Sequence, residues 1–348
     1  MDFQGTITIT ARVLGPLAAL LFVSHQSMAA DALKLSLPLH CADGPNNRQG
    51  NQVVCSVQSL MDMDEGSGIR DPLCGNATYD QHKGIDIRVR DLEVMNRGVA
   101  VLAMADGVVV ARRDGVADHL METAADKEAV SGRECGNGIR IDHGSGEAGR
   151  MTTQYCHMKR GSVAVEVGDQ ISRGEVVGGL GLSGATQFPH IHVSVSLDGG
   201  LIDPLTGRRI NESCAAQDFS SSLFTKKALE ILTRQALRPL LDQGFANGPV
   251  KGASLRRGPP QHPTMQGPLV YFAKFINLRA GDIVRLTVRG PKGVFSSSET
   301  KPLAAKKATY TAYTGKRGKV AQGTYRGTAQ LIREGSVIFT SDDASVDF

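Results

Sequence analysis

The sequence predicts a mainly β protein with two β-rich regions, on three observations. From about residue 80 to 200, short β-branched runs such as GIDIRV, NGIRIDHG and IHVSVS are punctuated by glycine, which is typical of strands joined by turns. After residue 265 a second series of strand-like segments follows, including LVYFAKFINL and DIVRLTVRG. Between the two, residues 225–241 have apolar residues at helical spacing, so a connecting helix is expected there.

The amino terminus has the features of a secretory signal. Arg12 precedes the apolar run VLGPLAALLFV, and Ser27 and Ala29 occupy the small-residue positions of a cleavage site. The apolar run is well short of the ~20 residues that cross a bilayer. We therefore expect a signal peptide over residues 1–29, a mature chain that begins near Ala30, and no membrane span in that mature chain.

Six cysteines follow the predicted signal. An even number of cysteines in an exported chain favours disulfides over free thiols, and the chain is expected to be periplasmic or secreted. Six cysteines permit many pairings. We pair the two that flank neighbouring predicted strands, then two others that are close in sequence, and finally the two that are left. The predicted pairs are Cys135 with Cys156, Cys41 with Cys55, and Cys74 with Cys214.

Charge is distributed unevenly along the chain. Residues 225–348 contain 20 Lys and Arg against 8 Asp and Glu, whereas the rest contains 19 against 27. A basic segment of an exported protein predicts an anionic envelope polymer or lipid head groups as partner, rather than nucleic acid. An ordinary solvated basic surface is the alternative.

Two histidines lie one residue apart in FPHIHVSVS, where Val and Ser alternate as in a strand. Residues i and i+2 share one face of a strand, so His190 and His192 can serve one site. In HKGIDIRV, His82 and Asp86 would lie ~13 Å apart in a straight strand. The chain must therefore bend at Lys83–Gly84 if both bind one metal, and glycine permits such a bend.

Two imidazoles and one carboxylate are a ligand set typical of catalytic zinc, with a fourth position left for water. The segment TTQYCHMKR supplies a further histidine. Alternation places Thr153, Tyr155 and His157 on one strand face. His157 is thereby a candidate for proton transfer or for stabilising charge.

In their order and spacing, HxxxD, YxH and the glycine-containing SGATQFPHIH resemble the lysostaphin-type zinc metallopeptidases, which cut peptidoglycan cross-links. The resemblance covers about a third of the chain. It implies an open antiparallel β-sheet groove with the metal on its floor. It also implies one Zn²⁺ per chain bound by His82, Asp86 and His192, with His157 and His190 as the catalytic histidines.

The resemblance and the sequence patterns outside it together predict a domain order for the whole chain. Residues 30–79 extend the peptidase domain at its amino terminus, and residues 80–215 form the zinc metallopeptidase domain. Residues 216–264 contain the helix and a linker rich in Gly and Pro. Residues 265–348 form a basic C-terminal domain resembling a β-sandwich.

The expected activity is that of an exported zinc metalloendopeptidase that hydrolyses peptide cross-links of bacterial peptidoglycan. A D-alanyl to diaminopimelate cross-link is the expected target, with glycine bridges or the wall of a rival species left open. The alternative is an inactive relative that binds the cell wall or regulates amidases. Phe188 replaces the glycine usual in the family before the proline of PHxH, which is expected to reshape one wall of the groove.

Overall fold

In the computed structural model, β-strands make up most of the regular structure of residues 33–42, 52–146, 149–214 and 216–348, which are the residues described. The side chains of residues 235 and 236 are outside this description. The predicted signal peptide, residues 1–29, also lies outside it. No helix in the described ranges combines the length and apolar character needed to cross a membrane.

The strands of the first half are β1 (Ser56–Ser59), β2 (Ile85–Arg88), β3 (Ala100–Leu102), β4 (Gly107–Arg113), β5 (Asn137–Gly146), β6 (Gly149–Met158), β7 (Gln170–Ile171), β8 (Val176–Gly179), β9 (His190–Leu197) and β10 (Gly200–Ile202). The strands of the second half are β11 (Leu240–Ala246), β12 (Leu269–Leu278), β13 (Ile283–Gly290), β14 (Gly293–Glu299), β15 (Lys307–Lys316), β16 (Thr324–Arg333), β17 (Ser336–Thr340) and β18 (Ala344–Asp347). The helices are α1 (Leu92–Asn96), α2 (Ala124–Ala129), α3 (Lys226–Ile231) and α4 (Gly252–Arg257), and a π-helical turn covers Leu232–Ala236.

The first half is built on one large antiparallel sheet. Its strand order among the described residues is β1-β2-β9-β6-β5-β4-β7, with β10 paired to the other end of β9. Alternate residues of β9, including Ile191, Val193 and Val195, are buried in the main hydrophobic core. The residues between them lie on the opposite face, which is the face of the site described below.

The second half forms two antiparallel sheets, β11-β12-β15 and β14-β13-β16-β17, with β18 paired to β16. Tyr271 and Phe275 from one sheet and Leu286 and Leu331 from the other share a single buried cluster. Two sheets that bury their inner faces against each other form a sandwich-like domain. The mainly β fold with antiparallel sheets and an additional C-terminal β domain, predicted from the strand patterns, is confirmed.

The segment between the two halves differs from the expected helix and linker. Thr225 caps the short helix α3, and the π-helical turn after it ends three residues before Pro239. Proline disfavours helical conformation in the residue before it, so the helical pattern of residues 225–241 stops early. Leu240–Ala246 then forms β11, which pairs with β12 and adds a strand to the C-terminal domain.

All three predicted disulfides are present. They join Cys41 to Cys55, Cys74 to Cys214, and Cys135 to Cys156. No cysteine in the described ranges is free. The pairing confirms the prediction from strand adjacency and sequence proximity.

Candidate metal centre and adjacent histidines

The site lies on the face of the large sheet opposite the main hydrophobic core, where β2 and β6 flank β9. In the strand register, Asp86 of β2 is opposite His192, and Arg88 is opposite His190. Cys156 of β6 is opposite His192 on the other side. Directly opposite residues share one face of an antiparallel pair, so Asp86 and both histidines point the same way.

His82 reaches the same face because the chain bends before β2. A bend is present at Gly84, as the sequence predicted for a shared site. The glycine is also required by close packing, because a Cβ atom there would overlap the carbonyl oxygen of Val193. The same Cβ would lie 3.0 Å from Cε1 of His192. The bend and the close approach together place His82 beside Asp86.

Three ligand atoms converge at this point. Asp86 Oδ1 lies 3.1 Å from His82 Nε2 and 2.8 Å from His192 Nδ1, and the two imidazole nitrogens are 3.1 Å apart. Donor atoms of a tetrahedral zinc site with bonds of ~2.0–2.2 Å lie roughly 3.3–3.6 Å apart. The triangle has nearly this size. His82, Asp86 and His192 form a possible metal site.

The hydrogen bonds of the two imidazoles show which ring nitrogen of His82 and of His192 faces the centre of the triangle. His82 Nδ1 lies 2.6 Å from the carbonyl oxygen of Leu60. A carbonyl only accepts, so this nitrogen donates and Nε2 carries a lone pair that faces Asp86 and His192. His192 Nε2 is 3.0 Å from the hydroxyl of Ser194, which leaves Nδ1 facing the same centre. Two imidazole nitrogens and a carboxylate oxygen that converge on one point are the donor set of a metal ion, so the residues fit one.

The ionisation of the site agrees with this conclusion. Burial by itself lowers the pKa of His82, but the Asp86 carboxylate more than reverses this and raises it. Burial would raise the pKa of Asp86, yet the neighbouring imidazoles hold it well below its usual range. Both shifts show that this position favours an anionic carboxylate with a positive charge beside it.

His157 reaches the site by an unusual backbone conformation, and here the predicted alternation is wrong. Tyr155 is opposite Val193 and is buried in the core, so alternation would place His157 on that side as well. Its φ of 65° instead turns the side chain to the site face, where its ring lies 4.6 Å from that of His190. A positive φ in a non-glycine residue is strained and persists only where surrounding contacts hold it.

His157 and His190 both have Nδ1 anchored. His157 Nδ1 donates to the carbonyl of Ser183 at 2.8 Å, and His190 Nδ1 donates to the carbonyl of Phe188 at 2.8 Å. Each Nε2 therefore carries a lone pair. His190 Nε2 is 3.5 Å from Asp86 Oδ1, which is farther than His82 Nε2 at 3.1 Å and His192 Nδ1 at 2.8 Å.

Burial keeps these two histidines neutral. It lowers the pKa of His157 well below its usual range, and the neighbouring His190 adds to the effect. Burial also lowers the pKa of His190 to about 4, against the opposing pull of Asp86. At neutral pH both are free to accept a proton.

Several contacts of the site were missed from the sequence. Ser194 follows His192 at the two-residue spacing of the strand, and this alternation could have indicated it. Thr186, whose hydroxyl lies 3.0 Å from His190 Nδ1, comes from the loop before β9 and has no comparable signal. Arg88 places its guanidinium 4.5 Å from the centre of the Phe188 ring, which itself lies 4.4 Å from the His190 ring.

Residues 80–204 match the family model described as Peptidase family M23. A protein of Haemophilus influenzae, described as an uncharacterized metalloprotease, is 26% identical over 125 residues, which are 36% of this chain and 20% of that protein. The chain thus aligns with only a fifth of that relative's length. Residues 80–204 are a domain of the lysostaphin-type M23 family, and the resemblance seen in the sequence is confirmed.

Two solved structures illustrate the structural comparison. A putative peptidase M23 from Pseudomonas aeruginosa is 21% identical and has a TM-score of 0.29, with 50% of this chain and 49% of that chain covered. The catalytic domain of the antimicrobial peptidase lysostaphin from Staphylococcus simulans is 22% identical and has a TM-score of 0.25, with 39% and 83% covered.

Proposed function

We propose that this chain, which contains an M23 domain over residues 80–204, is an exported zinc endopeptidase that hydrolyses peptide cross-links of bacterial peptidoglycan. The observation that carries the proposal is the triangle formed by His82, Asp86 and His192. Its donor atoms are 2.8–3.1 Å apart, and one nitrogen of each imidazole faces the same centre. Two neutral histidines stand beside it.

His82, Asp86 and His192 would hold the zinc ion, with His82 Nδ1 and His192 Nε2 anchored from behind by Leu60 and Ser194. When bound, zinc would supply Lewis acidity, which makes water a stronger nucleophile and polarises a peptide carbonyl. Two imidazoles and one carboxylate leave a coordination position open, as in catalytic rather than structural zinc sites.

His157 and His190 would move the proton. Each has an Nε2 lone pair that can take a proton from the attacking water, because its Nδ1 proton is held by a backbone carbonyl. The imidazolium that results can donate to the oxyanion or to the leaving amine. Both steps use residues whose low pKa keeps them neutral beforehand.

An oxidising compartment is the setting for this activity. Three disulfides join all six cysteines of the chain. Disulfides persist in periplasmic and secreted proteins and are rare in the cytosol. Together with the predicted signal over residues 1–29, they support export to the periplasm or beyond, where peptidoglycan is the cross-linked peptide polymer within reach.

Digestion of purified muropeptides tests the proposal. The zinc-loaded full chain should convert cross-linked dimers to monomers whose masses identify the bond that is cut, and a variant with His157→Ala should leave the dimers intact. Zinc binding with no cleavage, accompanied by binding to isolated cell walls, would instead identify an inactive wall-binding module. Cleavage of glycine bridges rather than D-alanyl to diaminopimelate cross-links would change the bond that we assign as substrate but would leave the proposed peptidase activity standing.

The basic C-terminal domain would assist by binding anionic envelope polymer. The excess of 12 positive charges over residues 225–348 supports this, since 20 Lys and Arg face 8 Asp and Glu. Attraction between exposed charges is screened beyond ~8 Å at physiological ionic strength. Binding of the full chain to isolated sacculi should weaken steadily between low and physiological salt, and binding that is insensitive to salt would contradict this role.

A further inference from the structure

A cavity of about 540 Å³ lies between the sheet that carries the metal site and the C-terminal β domain. Gln58, Arg88 and Phe188 line it from the first half of the chain, and Lys274 and Lys307 line it from the second. Its volume is within the range of sites for small molecules. Neither the proposed catalysis nor the core packing uses this space.

The cavity adjoins the metal site directly. Tyr79, which forms part of its lining, has its ring 4.5 Å from the ring of His82. Phe188, on another wall, has its ring 4.4 Å from that of His190. A ligand in the cavity would therefore lie one aromatic ring away from both the predicted ligand His82 and the predicted catalytic His190.

The lining is strongly basic. It contains no carboxylate among the described residues and includes five cationic side chains. Two of these are almost fully buried: Arg88 is 1% exposed and Lys274 is 3% exposed. The five cationic residues of the lining are Arg88, Arg256, Lys274, Lys306 and Lys307.

The Lys274 ammonium group makes no hydrogen bond or ion pair with any described residue. Lys274 lies on β12 between Ala273 and Phe275, which face the C-terminal core, so its own side chain points to the opposite face. Asp242 of β11 is opposite it in the register, and the Asp242 carboxylate attracts the ammonium group without a direct ion pair between these two described residues. A buried ammonium group without a partner is costly, because burial without pairing disfavours charge.

The neighbouring cations do not relieve this charge. Arg88 Nη1 donates to Gln58 Oε1 at 2.6 Å, a neutral acceptor, and Arg256 is paired with Glu122. Burial lowers the pKa of Lys274 to about 8, and the positive charge of Arg88 adds to this, whereas the carboxylates of Asp242 and Asp91 oppose it. Among the described residues, the lining of the cavity therefore carries five cationic side chains and no carboxylate, and the nearest carboxylates lie outside it.

We propose that this cavity binds a carboxylate-bearing part of the peptide substrate, with Lys274 and Arg88 as the anion-recognising groups. The choice of a peptide carboxylate rests on the proposed function, because a stem peptide held at the metal site would extend past Tyr79 or Phe188 into the cavity. Lys306 and Lys307 are exposed at the rim, where they can attract the anion from solution. An amidated peptide would lack the charge that the cavity is built to accept.

Binding without turnover tests the proposal. The probe is the linear stem tetrapeptide L-alanyl-D-glutamyl-diaminopimelyl-D-alanine, which has no cross-link to cut, titrated calorimetrically into the zinc-loaded full chain. Its fully amidated form is the matched ligand. We expect the acid form to bind about tenfold or more tightly than the amide, because truncating one side of a buried charge contact is costly.

The matched protein variants are Lys274→Met and Lys292→Met. Both remove one lysine, but Lys292 lies in the turn between β13 and β14, outside the cavity. Lys274→Met should abolish the preference for the acid peptide, and its melting temperature is measured to establish that the variant is folded. Lys292→Met should bind as the natural chain does.

Equal binding of the acid and amidated peptides to the natural chain would overturn the proposal, whether or not Lys274→Met folds. An equal loss in both lysine variants would do the same. Inorganic phosphate that binds more tightly than the acid peptide, and only when Lys274 is present, would reassign the cavity to a phosphate ligand. Muropeptide cleavage is measured separately, so a chain that binds the peptide in this pattern without cleaving cross-links would refute the proposed activity and leave the cavity's role standing.

Discussion

At the scale of single residues, the candidate metal ligand His192 depends on a serine of its own strand. The Ser194 hydroxyl lies 3.0 Å from His192 Nε2 and fixes which ring nitrogen faces Asp86. Ser194→Ala should lower zinc affinity by about 10–100-fold, because outer partners orient metal-binding imidazoles. Ser196→Ala, on the same strand face two residues further, is the control and should leave the affinity unchanged. Competition with a chelator of known affinity measures both, and equal affinities would show that Ser194 has no orienting role.

The sequence predicted part of this residue-scale arrangement. Two-residue alternation correctly placed His190 and His192 on one face, because β9 is a regular strand. The same rule placed His157 wrongly, since its φ of 65° breaks the alternation. That conformation is supported by the hydrogen bond from His157 to the carbonyl of Ser183, a residue 26 positions away. Such a contact depends on the assembled fold and leaves no local pattern. The catalytic roles of His157 and His190 stay predictions.

At the scale of elements, the entry of the chain into β2 depends on Gly84. A Cβ atom there would overlap the Val193 carbonyl on the neighbouring strand β9. Gly84→Ala should therefore push the two strands apart and lower the free energy of unfolding by about 1–3 kcal/mol, as overpacking does. It should also weaken zinc binding, because His82 and Asp86 lie on either side of the bend.

Gly146→Ala is the control for this substitution. Gly146 ends β5, and a Cβ atom there would meet nothing within 4 Å. Urea unfolding followed by far-ultraviolet circular dichroism measures both variants. A Gly84→Ala protein as stable as the Gly146→Ala protein would show that the strands do not approach as closely as the structure has them.

Strands with clear β-branched alternation, such as β9 and β13, could be predicted from the sequence. β11 could not, because LLDQGFA contains a glycine and an aspartate and follows a segment with helical spacing. It forms a strand because it pairs with β12, a long apolar strand whose free backbone groups on one side can hydrogen-bond to it. Strand formation of this kind depends on the partner more than on the strand's own residues.

At the scale of the whole molecule, the two halves of the chain are joined by direct contacts. Gln58 Nε2 of β1 donates to the carbonyl of Ala308 at 2.9 Å, and Asn277 Nδ2 donates back to the carbonyl of Val57 at 3.5 Å. Apart from residues 1–31, the chain forms one compact unit. We expect one cooperative thermal transition, with equal calorimetric and van't Hoff enthalpies. Two resolved transitions in differential scanning calorimetry would show that the halves unfold independently.

The central claim for the whole molecule is a division of labour between three metal ligands and two proton-transferring histidines. Zinc content, measured by elemental mass spectrometry beside muropeptide cleavage for five alanine variants, tests it most directly. Substitution of His82, Asp86 or His192 should remove zinc and activity together. Substitution of His157 or His190 should leave zinc bound while the rate of cleavage falls by ~10²- to 10⁴-fold. Loss of zinc from His190→Ala with retention in His192→Ala would contradict the assignment within the pair, and unchanged zinc and cleavage in all five variants would contradict the account as a whole.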